Sequence, residues 1–448
     1  MTPLAAAPPS ARASGWGLGV LILLGLYTYM DRQIIGLQAE PIRQQLALGD
    51  AQLGLIQGAG VALVTALAGY PIGWLADRCD RRRVLAGCLA VWCIAVALCG
   101  AATSFWALLL ASALVGAAEA GLLPIAYAAI PEWFQGRRRP VANSAFVFLG
   151  RLSAGLVIVA CGWLIHEVDQ WRPFLPELLQ DVPAWRLALG AAALPGLLLL
   201  PLIFTLPSMH ARAAAHMPVR VGAVLRSHPV AFAAILGGAG LLGLGANAFG
   251  SFVPVAAARA WDVPPLQAGR GLGAAALAGA ASALVITALL TRRSGLTHRH
   301  GTAMGLASVA LACAAATALG APLAPSPGMF FGLYGLNLAG VMTAVMLLPT
   351  ALQPLCPAPV RVRLMSLFVG TTIVVGSAGP VVVGALSDGL GGSAHGLITA
   401  MASVALVSHA MAALLLAWGA RWCARDLPAD DGAPVARRSH AAGHVTHP

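Results

Sequence analysis

Twelve apolar stretches, each as long as a bilayer is thick, follow one another along the 448 residues with only short polar breaks between them. They lie near 16–37, 52–76, 84–102, 105–130, 140–165, 184–206, 229–257, 267–290, 301–321, 327–354, 361–387 and 396–419. Each is long enough to cross about 30 Å of hydrocarbon as a helix, and only helices or closed barrels satisfy every backbone polar group there. Only 10% of the residues are charged and 59% are hydrophobic, whereas soluble domains carry roughly 25% charged residues. Too little polar surface remains to cover a water-soluble enzyme of this size. The expected fold class is an all-α polytopic membrane protein.

The charges that remain are placed unevenly. All 27 cations are Arg, and the net charge is +11. With the N-terminus inside, the cytoplasmic breaks and tails hold 20 of them and the outside breaks hold 5, namely Arg43, Arg172, Arg186, Arg259 and Arg270. Such a bias predicts a multi-pass protein of the plasma (inner) membrane with both termini cytoplasmic. It assigns the positive balance to topology and to lipids of the inner leaflet, and no nucleic-acid partner is expected. The eight Cys form no CxxC pair and read as buried free thiols. The tail histidines His440, His444 and His447 form only a loose cluster, so neither a metal nor a cofactor is expected. The first apolar segment is too long for a signal peptide and reads as a retained span.

The longest internal break divides the chain. Residues 1–15 are read as a cytoplasmic tail, 16–206 as a six-helix bundle, 207–228 as a cytoplasmic linker, 229–419 as a second six-helix bundle and 420–448 as a second tail. The stretch GRRRPVANSAFVFLGRLSAG (136–155) realigns on VRVRLMSLFVGTTIVVGSAG (360–379) with five identities, among them Ser-Ala-Gly at the end of both. Each stretch opens the fifth span of its half. Two related six-helix halves with a cavity between them form a secondary-transporter architecture.

Four ionisable residues fall inside spans: Asp31 and Arg32 in the first, Glu119 in the fourth and Arg151 in the fifth. At a helix centre such groups cost roughly 2.5–3.5 kcal/mol each on insertion scales, so they are functional candidates. Asp31 and Arg32 stand about 100° apart on one helix and must address different neighbours. Tyr27 shares the face of Asp31, Tyr127 lies on the stripe of Glu119, and both are expected to line the substrate cavity. A static ion pair that fixes helix packing is the competing reading. In the second half Asn247, Tyr334, Asn337 and Thr371 either line the cavity or hydrogen-bond between helices. That half has no central charge, an asymmetry suited to an amphipathic substrate with a polar head. His409 reads as a packed core residue.

At the end of the second span stands GWLADRCDRRR (73–83). Through Gly73, Asp77, Arg78, Arg81 and Arg82 it resembles the loop signature G-x-x-x-D-R-x-G-R-R of the major facilitator superfamily. Asp80 occupies the position where that pattern has Gly. The resemblance implies a gate in which Gly73 permits close approach, Asp77 faces a helix N-terminus of the other half, and the arginines answer Asp77 and lipid headgroups. The opening YTYMDRQIIGLQAEPI and the segments GAAEAG (116–121), AWRLALGAAALPGLL (184–198), FVPVAAARAWDVPPLQAG (252–269) and AGPVVVGALSD (378–388) are similar to the spinster-like branch. A related organic-anion symporter branch shares part of this flavour.

The resemblance runs from about residue 16 to 419 and implies twelve helices in two pseudo-symmetric halves working by alternating access. It implies protons as partners beside a small-molecule substrate, with Asp31 and Glu119 as coupling carboxylates and Arg32 and Arg151 beside them; a monomer is expected. An uncoupled facilitator and a binding protein without coupling are the alternatives. Two departures stand out. Spinster-like proteins resemble R-x-x-x-G-x-x-E in the fourth span, and the Arg position here is Ser112, so Arg151 is expected to have taken over the charge that answers Glu119 or Asp31. The segment EVDQWRPFLPELLQDVP (167–183) is extra, either an external cap or an inert insertion. Neither G-x-x-x-x-G-K-[ST] nor H-E-x-x-H occurs, so an ATP-driven pump and an intramembrane enzyme are not expected.

Overall fold

The computed structural model describes residues 9–27, 30–134, 138–207, 221–293, 301–352, 355–356 and 361–426. The chain is helical almost throughout. In the first half the helices are α1 (Ala11–Tyr27), α2 (Met30–Leu37), α3 (Ala39–Gln45), α4 (Asp50–Gln57), α5 (Ala59–Arg78), α6 (Arg81–Ala101), α7 (Phe105–Glu119), α8 (Leu122–Trp133), α9 (Arg138–Gln170), α10 (Glu177–Gln180) and α11 (Ala184–Phe204). The second half has α12 (Val221–Ser227), α13 (Pro229–Trp261), α14 (Pro265–Arg293), α15 (Thr302–Gly320), α16 (Pro327–Leu352), α17 (Arg361–Gly376), α18 (Ala378–Gly389) and α19 (Ala394–Asp426). Among the described residues, ten helical segments are long and apolar enough to cross a membrane, and Phe105–Glu119 and Gly155–Val168 are shorter apolar helices. Large side chains such as Leu67, Trp106 and Leu198 are exposed on their outer faces, as surfaces toward lipid require.

Among the described residues every predicted span coincides with helix, but several are interrupted. The second breaks at Gly58, whose φ of −130° and ψ of −103° leave the helical region. The fourth breaks after Glu119, and the eleventh at Ser377 between α17 and α18. Where spans begin in polar loops, side chains close the first turn. Ser104 accepts from the Ala107 N–H at 3.3 Å, and Asp80 accepts from the Arg82 N–H at 3.0 Å. The predicted linker contains α12, while its residues 208–220 lie outside the described ones. The extra segment folds on itself: Arg172 Nη1 donates to the Gln180 and Val182 carbonyls at 2.8 and 2.9 Å.

The halves meet along two helix pairs, α4 with α18 and α9 with α14. Both seams depend on glycine. A Cβ built on Gly54 would lie 2.3 Å from the Pro380 carbonyl oxygen, and one on Gly384 would lie 2.2 Å from that of Asp50. On the second seam Gly162 and Gly269 face each other at backbone distance. Along the first pair the contact then ends. At Gly69, Gly73 and Gly370, further along the same two spans, an added Cβ would meet no described atom within 4 Å. Among the described residues the two halves therefore touch at the end that carries residues 40–58 and 377–392, and part toward the end that carries 69–83 and 361–370.

Candidate functional site

Between the halves lies a cavity of about 400 Å³. The first half contributes Asp31, Arg32, Gln57 and Ser112 to its wall, and the second contributes Asn247, Ser251, Tyr334 and Met342. One wall is thus charged and the other neutral. Asp31 is 2% exposed, and its Oδ1 finds no hydrogen-bond partner among the described residues; Gln57 Nε2 is in the same position. Both atoms are buried polar groups without compensation, which native structures rarely tolerate away from a site that uses them.

The Arg32 guanidinium crosses from α2 to α7 and pairs with the Glu119 carboxylate. Because the Arg32 side chain is 45% exposed, the pair contributes no more than about 1 kcal/mol to stability. Its structural effect is to tie the cavity wall to the last residue of α7, where the fourth span breaks. Glu119 itself sits behind that wall, beside the buried Trp92.

The remaining candidates divide. Asn247 and Tyr334 line the cavity. Tyr27 does not: it is buried inside the first half, its ring 4.7 Å from Trp92, and its hydroxyl donates to the Ala192 carbonyl while accepting from the Gly196 N–H at 2.7 Å. Asn337 is 2% exposed and donates through Nδ2 to the Ala314 carbonyl at 2.8 Å, joining α16 to α15. Thr371 donates to the Leu367 carbonyl of its own helix at 2.8 Å and is absent from the cavity wall. Tyr27 is thereby corrected from a cavity residue to one that packs helices, Asn337 takes the interhelical role of its two readings, and the Thr371 hydroxyl is spent within its own helix. The side chains of Tyr127, Arg151 and Asp77 lie outside the described ones; among the described residues the cation that meets Glu119 is Arg32.

Among the described residues the loop arginines have partners of their own. Arg81, 7% exposed, pairs with Glu132 at 2.7 Å and so fastens α6 to α8. Arg82 pairs with Asp80 at 2.8 Å. The hydrogen bond from Arg82 holds the Asp80 carboxyl below the usual carboxylate range. The Arg78 guanidinium stacks over the Trp74 ring, 4.0 Å from its centroid. Gly73 stands open, as expected at an end where the halves have parted.

At the opposite end the structure holds a cluster that the sequence did not disclose. Arg259, near the end of α13, donates through Nε to Glu40 at 2.6 Å and through Nη1 to Asp50 at 2.8 Å. Arg43 joins Glu40 at 2.8 Å, and the Ser387 hydroxyl donates to Asp50 at 2.7 Å. The Asp388 carboxylate accepts from the backbone N–H groups of Asp50 and Ala51 at 2.9 and 3.0 Å. The side chains of Arg259 and Asp50 are 8% and 2% exposed. Glu40 lies between two spans. Burial pushes its carboxyl up, and the hydrogen bonds of Arg43 and Arg259, with the Arg259 charge, outweigh this and hold it below the ordinary value. In sequence these residues are only an outside arginine and two acids in a polar break, more than 200 positions apart.

The chain spans little more than a third of the length of two curated relatives that it matches. An MFS-type efflux pump of Mycolicibacterium smegmatis is 35% identical over 157 residues, 33% of this chain and 36% of that protein. Protein spinster homolog 3 of Danio rerio is 29% identical over 204 residues, 44% of this chain and 38% of that protein. A crystal structure of a bacterial homologue of the human lysosomal transporter Spinster, inward-facing and unoccupied, superposes with a TM-score of 0.79 at 22% identity, covering 93% of this chain and 98% of that one. These proteins share the fold of transporters rather than of enzymes. The family model of the Major Facilitator Superfamily matches residues 21–355, and the chain belongs to that superfamily.

Proposed function

We propose that the protein is a secondary active transporter of the spinster-like branch, working by alternating access. The observation that carries this reading is the cavity between the halves, with the uncompensated Asp31 in its wall, closed at one end by Arg259 and parted at the other. By the arginine count the parted end faces the cytoplasm, and the arrangement is then an inward-open one in the plasma (inner) membrane. Both tails and the 207–228 linker lie on the cytoplasmic side, and the working unit is the monomer.

The transported molecule is amphipathic, either an organic anion or a lysolipid-like compound. Its head meets the charged wall at Asp31 and Arg32, and its apolar body lies against the neutral wall at Tyr334 and Met342. A proton is the coupling ion. A carboxylate in such a cavity is tuned by desolvation and by a neighbouring guanidinium, and both change as the cavity opens to one side or the other. Arg32 holds Glu119 in the inward-open arrangement, and Arg151, on a helix that packs against α2, serves as a second cation of the cluster. Uncoupled facilitation is the alternative.

Reconstitution into proteoliposomes tests this reading. Uptake of a labelled lysolipid or organic anion is measured with and without a pH gradient. Glu119→Gln is expected to abolish gradient-driven accumulation and to keep part of the downhill exchange. Accumulation at the parent rate, with the parent pH dependence, refutes coupling through Glu119.

A further inference from the structure

The two helix ends that face across the halves carry the same short pattern. Residues 73–77 read Gly-Trp-Leu-Ala-Asp, and residues 384–388 read Gly-Ala-Leu-Ser-Asp. In both, the aspartate is the next-to-last residue of its helix: α5 ends at Arg78 and α18 at Gly389. The two helices run in opposite directions through the fold, so one pattern stands at the parted end and the other at the closed end.

The closed-end copy is seen at work. The first N–H groups of α4 have no partner within their own helix, and the residue before them, Gly49, has no side chain with which to cap them. Asp388 supplies the cap from the other half, taking the Asp50 and Ala51 N–H groups at 2.9 and 3.0 Å. The approach is possible only because of Gly384, where a Cβ would stand 2.2 Å from the Asp50 carbonyl oxygen and 2.6 Å from the Ala51 nitrogen. Ser387, between them, donates to the Asp50 side chain. At the parted end a Cβ on the equivalent glycine, Gly73, would meet no described atom outside its own helix within 4 Å.

We infer that Gly384 and Asp388 form a latch that holds this end closed, the inverted counterpart of Gly73 and Asp77, and that the two latches engage in alternation. In each, the glycine admits the backbone of the facing half and the aspartate caps its first turn: α4 for Asp388, α17 for Asp77. Opening one end uncovers the orphan N–H groups of one helix as closing the other covers those of its counterpart. The two states are thereby matched in capping, and neither is a deep trap. This rests on the alternating-access reading, and it assigns to Asp388 a gating role independent of the charges around Arg259.

The test uses spin-label pairs read as distance distributions, in protein whose exposed Cys79 and Cys313 are replaced by Ser. One pair, at Ala47 and Leu390, spans the closed end; the other, at Trp74 and Leu367, spans the parted end. Asp388→Ala is expected to move the ratio of the two states roughly tenfold toward an open 47–390 end, the size of a lost helix cap. Asp388→Asn, which keeps one acceptor, is expected to fall between. Asp77→Ala is expected to move the ratio the other way, and the double variant to return it close to the parent value. Gly384→Ala, which blocks the backbone approach without touching the cap, is expected to open the same end as Asp388→Ala. The inference is overturned if Asp388→Ala leaves both distributions unchanged, if it shifts them in the same sense as Asp77→Ala, or if the 47–390 end opens in none of the variants. Transport without any response to Asp388→Ala would overturn the latch and leave the transporter reading standing; a latch response without transport would do the reverse.

Discussion

Arg259→Ala is the perturbation with the most definite expected size. The guanidinium is 8% exposed and bridges Glu40 and Asp50, whose side chains are 9% and 2% exposed. Removing one partner of a buried pair costs about 3–5 kcal/mol, because the other charge stays buried and unanswered. Here two carboxylates lose their cation, but Arg43 still holds Glu40 and Ser387 still holds Asp50. The lower figure therefore applies. The closed arrangement loses about 3 kcal/mol relative to one in which this end opens and the acids meet water, a shift of about 100-fold at 1.4 kcal/mol per tenfold. Arg259→Lys keeps a point charge but not the planar fork that serves two acids at once, and its shift should be nearer tenfold. Ser251 lines the cavity, so the alkylation rate of Ser251→Cys by a membrane-impermeant maleimide, added from the 40–50 side, reports how often that end opens. The rate should rise by about 100-fold in the alanine background, up to the limit of the free thiol. A rise of less than twofold, in protein that still unfolds cooperatively, would show that Arg259 does not hold this end shut. The acid dependence follows from Glu40. Its carboxyl is held below the ordinary value in the closed arrangement, so its contribution is complete above that value and fades as pH falls through the depressed one. Labelling should stay flat from neutrality to about pH 5 and increase only below about pH 4.

Two further outcomes are expected. Gly54→Val places a branched side chain where a single Cβ would already lie 2.3 Å from the Pro380 carbonyl; overpacking of about 1–3 kcal/mol should favour the open form of that end, and the same thiol assay reads it. Asn337→Ala removes the donor to the Ala314 carbonyl and should cost about 1–3 kcal/mol of stability in detergent melts, yet leave the apparent affinity for substrate unchanged; a weaker affinity would return Asn337 to the cavity.

The spans were legible because long charge-free stretches admit one structure in hydrocarbon, and Asp31, Arg32 and Glu119 because a charge there is too costly to be idle. The pairing of Arg32 with Glu119 was not legible, since four helices separate them in the chain. Hydropathy averages over a window of residues, so it runs straight through the breaks at Gly58 and Ser377. A polar residue on an apolar helix looks the same from sequence whether it faces a cavity or a neighbouring helix. The pattern alone therefore does not separate Asn247, which lines the cavity, from Asn337, whose amide donates to Ala314 on the neighbouring helix. Arg259 was hidden for a different reason. Its acids lie 219 and 209 positions away, in the other half, and no local pattern couples an arginine near one helix end to a polar break that distant.

The helix that carries Arg259 is also a measuring rod. With 33 residues, α13 is about 50 Å long at 1.5 Å per residue, well beyond the roughly 30 Å of hydrocarbon. Asn247, in the cavity wall, stands twelve residues from Arg259 (259 minus 247), about 18 Å along the axis. A tilt of about 10° pivoting at Asn247 displaces the guanidinium sideways by about 3 Å, enough to carry contacts of 2.6 and 2.8 Å past any hydrogen-bonding distance. In the cavity wall the same tilt moves Ser251, four residues from the pivot, by only about 1 Å. The rim thus amplifies what happens at the fulcrum: an adjustment small enough to be made by one side chain settling against a bound molecule is, at the far tip of the lever, the difference between shut and open.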